Sequence, residues 1–580
     1  MTILGGAGAR MSSFFSELRR RRVFRVGAAY ALVGWFLLQA ADVIVEPLGL
    51  PEQIQPLLIV AVFLGFPVAV LLAWAFDLTP TGVERTPLLR SERAVEAAPV
   101  VVLEEPPSSA EADRSVAVLP FSNMSQSAEN EYFSDGIMDD LITHLSKIND
   151  LRVISRTSVM RFKERAVSIQ EIGSELGVAR IVEGSVRRAG DRVRVNAQLI
   201  DVRTDDHLWA ETYDRDLEDI FAIQMDVATR IVESLHVHLS IDEETGLSAQ
   251  PTDDMEAYDL FLKGRYHWNR RTEADLVLSV EYLTRAVERD PGYSLALAAL
   301  ADSYVTLGVY GARPPGDVMP KARLAADRAL ALDESAAAAL VSRASVSVIF
   351  DWDWREAESD YQAAISDSPG YALAHQWYAT NLLLPLGRFD EGRVHLDRAH
   401  ELDPLSPSIR VSFGFLAYFE RLYREAIEDQ RRLVASDPQF GMAHFVIGSC
   451  HEQLGEYPAA LTAFRKAVDL SGGSAETVAA LGHCLALAGQ TDEARHLLEQ
   501  LQNRSRESYV SPTRLAQLRL GLGEPNEALG LLEAAAEARA ADLVWIGVNP
   551  VFDALRSEDR FQALASTVLG PGEPRPHAHG

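Results

Sequence analysis

Two long apolar stretches stand near the start of the chain. The first covers residues 26–40, directly after the basic run RRRRVFR, and the second covers residues 57–76, twenty residues without a charge. A helix of that length crosses about 30 Å of hydrocarbon. Two such stretches joined by a short loop are more typical of a membrane hairpin than of soluble core helices. The pattern therefore predicts a two-helix transmembrane hairpin over residues 23–78.

Arginine placement predicts how this hairpin is oriented. Five arginines lie within residues 19–25 and three more within residues 85–93, whereas the connecting loop has no Lys or Arg. Because positively charged flanks stay in the cytoplasm, residues 1–22 are expected to be a basic cytoplasmic N-terminus. The chain is thus predicted to be a multi-pass protein of the inner (cytoplasmic) membrane, with its soluble domains facing the cytoplasm. Whether Asp42 lies at the membrane interface or acts inside the bilayer is left open.

Beyond a proline-containing linker at residues 79–114, runs with strand and helix patterns alternate. SVAVLPF, LRVISRTSV and HLWAETYDR predict strands, while EYFSDGIMDDLITHLSKI and DIFAIQMDVATRIVESLHVHL place apolar residues at helical spacing. SIQEIGSELG predicts a helix that stops at Gly177, and two further strands meet in a hairpin at residues 189–191. This alternation predicts a small α/β domain over residues 115–245.

Three aspartates crowd one of these helices, at Asp135, Asp139 and Asp140. One interpretation is a catalytic or metal-binding acid cluster, for which His144 is the nearest partner. The other is structural: Ser134 or Asp135 caps the helix, and the later acids lie in its first turns, where the helix dipole favours carboxylates. Caps are far commoner and no second motif supports catalysis. The structural interpretation is therefore expected, and no catalytic, cofactor or metal site is predicted.

The segments SVAVLPF, YFSDGIMDDLITHLSKINDLRVISRTSV and EIGSELGVARIVEGSVRRAGDRVRVNAQLIDV, continued to about residue 240, resemble the TolB amino-terminal-like domain. The resemblance implies that the F-x-D-G stretch is a structural signature rather than an active site. It also implies a bacterial protein of the kind in which this domain is fused to tetratricopeptide repeats. Relatives often carry an adenylate cyclase or DNA-binding domain in front, but residues 1–114 match neither, so those activities are not expected.

Prolines mark a period in the second half of the chain. Pro369, Pro404 and Pro438 are 35 and 34 residues apart, and Gly472 follows after a further 34. Pro291 lies 78 residues before Pro369, which predicts about two repeats with a long loop between them. A 34-residue helix–turn–helix period is that of tetratricopeptide repeats.

The unit GMAHFVIGSCHEQLGEYPAALTAFRKAVDL resembles the consensus of these repeats. Small residues at Gly448, Ala460 and Ala467 would let its two helices approach closely, while Phe464 fills the gap between them. The resulting prediction is an all-α superhelix over residues 257–545, a C-terminal cap at 546–567 and a disordered tail at 568–580.

The concave face of such a superhelix is lined by the first helix of each repeat and is a binding surface. Counting positions within each repeat predicts five residues that face this groove: Phe350, Phe415, Tyr418, Phe445 and Glu452. Burial between neighbouring repeats is the alternative, because an error of one position in helical phase exchanges the two outcomes. If exposed, the aromatic residues are anchors for a protein or peptide partner.

The charge balance narrows the range of partners. A total of 83 acidic against 55 basic residues gives a net charge of −28, which repels phosphate backbones, so no nucleic acid is expected. Two cysteines in 580 residues, Cys450 and Cys484, fit a reducing compartment. They occupy the same position of successive repeats, too far apart for a disulfide, and are predicted to be free thiols.

The motifs of common enzyme classes do not occur: there is no phosphate-binding loop, H-E-x-x-H, G-x-S-x-G or C-x-x-C. The predicted function is therefore non-enzymatic: a membrane-anchored cytoplasmic scaffold or adaptor in signalling, whose repeats bind a protein partner and whose hairpin binds the lipid bilayer. Two alternatives stay open. One is a non-catalytic regulatory partner of a signalling enzyme such as a nucleotide cyclase, and the other is an envelope assembly factor with inverted topology. The identity of the partner and the oligomeric state stay undetermined.

Overall fold

The computed structural model describes residues 114–570, except 126–129, 164, 166, 236, 238 and 241–249, together with the backbone of one hairpin, Phe76–Thr79 and Gly82–Arg85. Residues 1–75, with almost all of the predicted membrane hairpin, lie outside the described residues, as do residues 571–580. In the part that is described, no helix combines the length and apolar character needed to span a membrane. The chain forms two compact units, residues 1–104 and 105–580.

In the first unit, β1 (Phe76–Thr79) and β2 (Gly82–Arg85) pair antiparallel, with Phe76 opposite Arg85 and Thr79 opposite Gly82. Apolar and polar residues alternate in the FDLT of β1, a pattern typical of strands. Only two residues separate the strands, a length that suits a tight hairpin. β2 lies within the predicted linker at residues 79–114 and gives part of it strand structure.

A six-stranded sheet and four helices form the first domain of the second unit. Its strands are β3 (Ser115–Val118), β4 (Ser122–Asn123), β5 (Arg152–Val153), β6 (Arg180–Ala189), β7 (Arg192–Asp201) and β8 (His207–Asp216), and its helices are α1 (Glu131–Leu145), α2 (Arg156–Met160), α3 (Ile169–Leu176) and α4 (Ile220–Ser234). The strand order is β5–β3–β6–β7–β8, with β4 beside β6. β3 runs parallel to β5 and β6, whereas β6, β7 and β8 form an antiparallel meander.

Burial follows the two kinds of strand pairing. Val116, Ala117 and Val118 of β3 are all fully buried, as expected for a parallel strand covered on both faces. In β7 burial alternates instead, with Val193 and Val195 buried and the polar residues between them exposed. α4 packs against β7 and β8 and also against α1. The antiparallel part of the sheet thus has one apolar face under helices and one polar face.

Eight helix pairs follow in the described part of the chain. They are α5 (Met255–Arg270) with α6 (Glu273–Arg289), α7 (Ser294–Val309) with α8 (Pro315–Leu332), α9 (Ala337–Val346) with α10 (Trp354–Asp367), α11 (Ala372–Trp377) with α12 (Phe389–Leu402), α13 (Pro407–Phe419) with α14 (Tyr423–Ser436), α15 (Gly441–Gln453) with α16 (Tyr457–Leu470), α17 (Ala475–Leu487) with α18 (Thr491–Arg504), and α19 (Pro512–Gly521) with α20 (Pro525–Glu537). Neighbouring pairs contact each other along the chain. The predicted repeat region is thus mostly helical, as expected.

The proline period matches the ends of these pairs. Pro369, Pro404 and Pro438 each follow the second helix of a pair by two residues, because proline cannot continue a helix. The long loop predicted between Pro291 and Pro369 is wrong: two complete pairs fill this interval, and only residues 333–336 connect them. The additional residues lie in the helices themselves, since α7 has 16 residues and α8 has 18.

The sixth pair, α15 with α16, shows how small residues set the packing. Ala460 and Ala467 are fully buried, and Phe464 between them is 1% exposed. A Cβ atom added to Gly448 would lie 2.8 Å from the ring of Phe464, so the two helices can approach this closely only with glycine there.

The first helices of the third and fourth pairs continue in a wider, π-helical form, α9 through Ser347–Asp351 and α11 through Tyr378–Leu383. After α20, the chain forms two 3₁₀ helices, Ala541–Gly547 and Pro550–Leu555, and the final helix α21 (Asp559–Leu569). We call residues 541–569 the C-terminal segment. It begins before the predicted cap at residues 546–567, and its last helix continues beyond that cap.

Candidate functional site

Two of the three aspartates of α1, Asp139 and Asp140, contact the first repeat, whereas Asp135 pairs with basic residues of the α/β domain. α1 begins at Glu131, with Asn130 at the N-cap position. Ser134 and Asp135 are therefore inside the helix and are only 1% and 4% exposed. The predicted capping role is wrong, because the helix begins earlier than expected and α5 packs against it.

Basic side chains of the α/β domain pair with the first two acids. Lys163 Nζ lies 2.7 Å from Asp135 Oδ1, and Arg156 Nε lies 2.8 Å from Asp139 Oδ1. From the first repeat, Asn269 also donates a hydrogen bond to Asp139 at 3.4 Å. Since cations engage both carboxylates, their role in this arrangement is to bind the elements around α1 together.

The third acid, Asp140, joins three helices. Its Oδ2 accepts hydrogen bonds from the Tyr258 hydroxyl of α5 at 2.6 Å and from Gln224 Nε2 of α4 at 2.8 Å. Burial raises the pKa of Asp140 to about 6, although both hydrogen bonds oppose this shift. Burial and the neighbouring Asp140 also raise the pKa of Tyr258 well above its usual value, so the phenol stays a donor. Asp140 therefore anchors the first repeat to the α/β domain.

A second contact joins α2 to the end of α12 in the fourth pair. Ser158 Oγ donates to Asp403 and accepts from the Leu405 amide at 2.8 Å. The Ser155 amide donates to the Leu402 carbonyl at 2.9 Å. Burial raises the pKa of Asp403 to about 6. The α/β domain is thus attached to the first pair and to the fourth, and further contacts flank the fourth pair, where the Gly370 amide donates to the Ser146 carbonyl at 3.3 Å and Arg161 lies 3.7 Å from Asp437.

Three of the five predicted groove residues are buried. Tyr418, Phe445 and Glu452 are 5%, 7% and 4% exposed, so the alternative of burial holds for them. The Phe445 ring packs edge-on against Phe464, with centroids 5.9 Å apart. Glu452 Oε2 lies 3.1 Å from His483 Nδ1 in the next repeat. These side chains therefore contribute to packing between repeats.

The other two predicted groove residues, Phe350 and Phe415, are half-buried. Phe415 stacks on Phe419 with a centroid separation of 6.2 Å and lies 6.3 Å from Phe445. Phe350 lies in the π-helical continuation of α9 and packs against the main core, the cluster of buried apolar residues that the α/β domain shares with the first pairs of the array. Of the five, these two keep substantial surface on the first helices of their repeats.

Two tryptophans make long-range contacts that sequence reasoning missed. Trp354 Nε1 donates to the Val568 carbonyl at 2.9 Å, and Trp545 Nε1 donates to the Thr380 carbonyl at 3.4 Å. They connect the C-terminal segment to the third and fourth pairs, across 214 and 165 residues of sequence. A tryptophan at the first position of a second helix, such as Trp354, is the signal that could have suggested such a contact.

An open cleft of 1430 Å³ lies over the polar face of the antiparallel strands. On its floor, Asn196 donates a hydrogen bond to Ser185 at 3.0 Å and accepts one from Thr212 at 2.8 Å. At its rim, Lys163 lies 2.7 Å from Glu131 and also pairs with Asp135. These polar groups pair with one another, and apolar side chains, among them Phe121, Phe162 and Ile172, also line the cleft.

Both cysteines are free, as predicted, and the structure also buries them. Burial raises the pKa of the Cys450 thiol to about 12. Burial and the nearby Glu452 also raise the pKa of Cys484. Because a thiol reacts as its thiolate, these two side chains are packing residues rather than nucleophiles.

Comparisons with protein families agree with the two-part architecture. Residues 112–233 match the family described as "HilA/YgeH-like transcriptional regulator, second domain". Residues 416–475 and 451–512 match two families of tetratricopeptide repeats. The C-terminal part of the chain therefore contains tetratricopeptide repeats. The resemblance of the α/β domain to the TolB amino-terminal-like domain stays a prediction.

A curated relative is the Rhizobium meliloti (strain 1021) protein named "Putative adenylate cyclase 3", which is 45% identical over 203 residues. The matched region is 35% of this chain and 35% of that protein, so the chain spans about a third of the relative's length.

Solved structures with similarity include several repeat proteins. YrrB, a tetratricopeptide repeat protein with an unusual peptide-binding site, is 22% identical, with a TM-score of 0.24, over 33% of this chain and 93% of YrrB. The type IV pilus biogenesis factor PilW is 20% identical, with a TM-score of 0.31, over 38% and 96%. A human IFIT1 dimer with PPP-AAAA is 14% identical, with a TM-score of 0.38, over 56% and 87%.

Proposed function

We propose that this protein is a non-enzymatic adaptor that binds protein segments on the face formed by the first helices of its repeats. The observation that carries the proposal is the array itself, in which eight helix pairs stack in sequence in the described part of the chain. Stacked repeats of this kind create an extended concave surface, which repeat proteins use for binding. The tetratricopeptide matches at residues 416–512 support the same function.

The α/β domain acts in this proposal as a fixed connector. Its contacts at Asp140 and at Ser158 reach the first and the fourth pair of the array. A domain attached at two separated places moves together with the repeats between them. A partner bound to the array is thereby held at a defined position relative to the α/β domain.

A matched pair of phenylalanines in α13 tests the binding face. Phe415 is a predicted groove residue, whereas Phe413, two positions away and also half-buried, contacts His400 of the preceding pair. Chemical cross-linking and affinity capture from the source cell, with quantitative mass spectrometry, would compare Phe415→Ala and Phe413→Ala with the wild type. We expect Phe415→Ala to lose specific partners by about thirtyfold in affinity, the effect of removing about 2 kcal/mol. Equal capture by both variants would contradict the proposed face.

In the same proposal, residues 23–78 anchor the chain in the inner membrane, with the α/β domain and the repeats in the cytoplasm. The support is the apolar length of these residues and the arginines that flank them. An alkaline phosphatase fused after Arg93 should be inactive, and a fluorescent protein fused there should fluoresce. Strong phosphatase activity would overturn this orientation and favour an envelope assembly factor.

A second candidate function is that of a non-catalytic regulatory partner of a nucleotide cyclase. The similarity over 203 residues to a protein named as an adenylate cyclase favours it. Deleting the gene and measuring cyclic AMP in the source organism tests this candidate. A level that changes on deletion and returns with the wild-type gene supports it, while an unchanged level under all growth conditions argues against it.

A further inference from the structure

The C-terminal segment has two apolar faces that contact different parts of the array. One face covers the last pair: Phe552, Leu555 and Phe561 share a buried cluster with Leu529 and Leu532 of α20. This is the capping role that an end repeat needs to hide its apolar side. These contacts alone would account for a segment that only closes the end of the array.

The other face contacts repeats much earlier in the chain. Val544 belongs to the main core, which extends through the first helices of the second and third pairs, and Val548 belongs to the cluster that contains Tyr418 and Phe445. Trp545 packs against both of these clusters. The segment therefore lies between the last pair and the middle of the array.

Most of these contacts are on first helices or on the turns directly after them, and the exception is Trp354 at the start of α10, which donates to the Val568 carbonyl at 2.9 Å. The 3₁₀ helix Ala541–Gly547 contacts α7 and the continuation of α9. Trp545 bonds to Thr380 in the continuation of α11. Asp553 pairs at 2.9 Å with Arg421, directly beyond α13. The segment thus covers four successive pairs, from the second to the fifth, on the face that the proposed function assigns to a partner.

Two of the polar contacts on this face are weak. The Trp545 hydrogen bond is long at 3.4 Å, and the Arg421–Asp553 pair is 37% and 47% exposed. An ion pair this exposed contributes little to stability. The apolar contacts are buried on both faces of the segment, because Val544 and Val548 are each 1% exposed and Phe552, Leu555 and Phe561 are at most 3% exposed. A ligand that displaces the segment from the middle repeats must therefore supply apolar side chains that cover the same surface.

We propose that the C-terminal segment is an intramolecular ligand that occupies the partner-binding face, and that a partner must displace it. The inference rests on the proposed function. The partner that fits this face has the chemistry of the segment itself: a short, partly helical peptide with valines and a tryptophan along one side and a carboxylate that reaches Arg421. Release moves the last pair, with its cap, away from the second to fifth pairs.

A labelled peptide tests this proposal without any knowledge of the natural partner. The probe is a synthetic, fluorescein-labelled peptide of residues 540–570, and its binding to the full chain is measured by fluorescence anisotropy. The test variant is Trp545→Ala with Val548→Ala, which weakens only the face toward the middle repeats. The matched control is Val551→Ala, because Val551 packs against the cap cluster instead.

We expect the double variant to bind the peptide at least tenfold more tightly than the wild type and Val551→Ala, because its groove is open. Amide hydrogen exchange in residues 294–309 and 372–384 should rise in the double variant alone. Equal peptide binding by all three proteins, or unchanged exchange in the double variant, would overturn the proposal. Loss of partners in Phe415→Ala together with a negative peptide result would leave the proposed function in place and refute only the intramolecular ligand.

A second variant keeps the proposal falsifiable if the double variant loses helical ellipticity. Asp553→Asn removes the exposed ion pair with Arg421 from the segment, keeps Arg421 for the labelled peptide and should leave the fold intact. Its expected gain in peptide affinity is about threefold, in the range of a surface ion pair. No gain in this variant, with helicity retained, would also overturn the proposal.

Discussion

Replacing Asp140 by asparagine should change how the stability of the protein depends on pH. Asp140 connects α1 to Tyr258 and Gln224, and burial raises its pKa to about 6 from an ordinary value of 3.8. The asparagine side chain keeps the shape and an acceptor oxygen, but it carries no charge at any pH. The difference between wild type and Asp140→Asn therefore reports the titration of this single carboxyl.

The sign follows from the direction of the shift. Because the pKa is raised on folding, the folded state prefers the protonated carboxyl, and its stabilising contribution is fully present below pH 3.8. The contribution is lost as the pH rises through 6. The whole shift corresponds to about 3 kcal/mol, and the part between pH 4.5 and pH 7.5 to about 2 kcal/mol. Asp140→Asn should thus gain about 2 kcal/mol relative to wild type between these two pH values.

Thermal unfolding followed by circular dichroism at pH 4.5, 6 and 7.5 measures this difference. For a folded unit of about 150–250 residues, about 2 kcal/mol corresponds to a change of about 4–8 °C in melting temperature. Asp150→Asn is the matched control, because Asp150 is 64% exposed beside Arg114. A difference between wild type and Asp140→Asn that is constant with pH, or that changes in the opposite direction, would refute the reasoning.

Two further variants or treatments test the packing of the repeats. Phe464→Ala should lower the free energy of unfolding by about 3–5 kcal/mol, because the Phe464 ring fills a fully enclosed space. Hydrogen exchange should accelerate in α15, α16 and α17, while Phe413→Ala should leave these helices protected. Unchanged protection in Phe464→Ala would contradict this packing. Cys450 and Cys484 should not react with Ellman's reagent at pH 8 in the folded protein, since burial keeps them as neutral thiols. Both should react in urea. Rapid labelling of the folded chain would show that this part of the array opens.

Local signals in the sequence identified the punctuation of the fold. Gly177 ends α3 with a φ of 64°, and Gly190 turns β6 into β7 with a φ of 62°, at the places where glycine and hairpin patterns indicated them. The proline period gave the ends of the repeats for the same reason, because backbone restrictions act within a few residues. Such features depend on neighbouring residues only and are readable from a single chain.

The roles of individual polar and aromatic residues depend on distant elements and were not readable in this way. Asp140 has the pattern of a helix-start acid, and only the presence of Tyr258, 118 residues later, makes it an anchor between domains. Tyr418 and Phe445 have the spacing of groove residues, but neighbouring repeats and Val548 form a common cluster with them. A hydrophobic period gives the side of a helix that is covered, and it does not show what covers it.

The contacts that attach the α/β domain and the C-terminal segment to the array have a consequence for folding during synthesis. Ser158 meets Asp403 across 245 residues. A ribosome adds about 5–20 residues per second, so Asp403 is synthesised about 12–50 s after Ser158. During that time the α/β domain exposes the surface that the fourth pair will later cover. An array of repeats alone could fold progressively from its first pair. In this chain the final arrangement forms only after synthesis of the last pair and the C-terminal segment. The nascent chain is therefore a candidate for protection by chaperones.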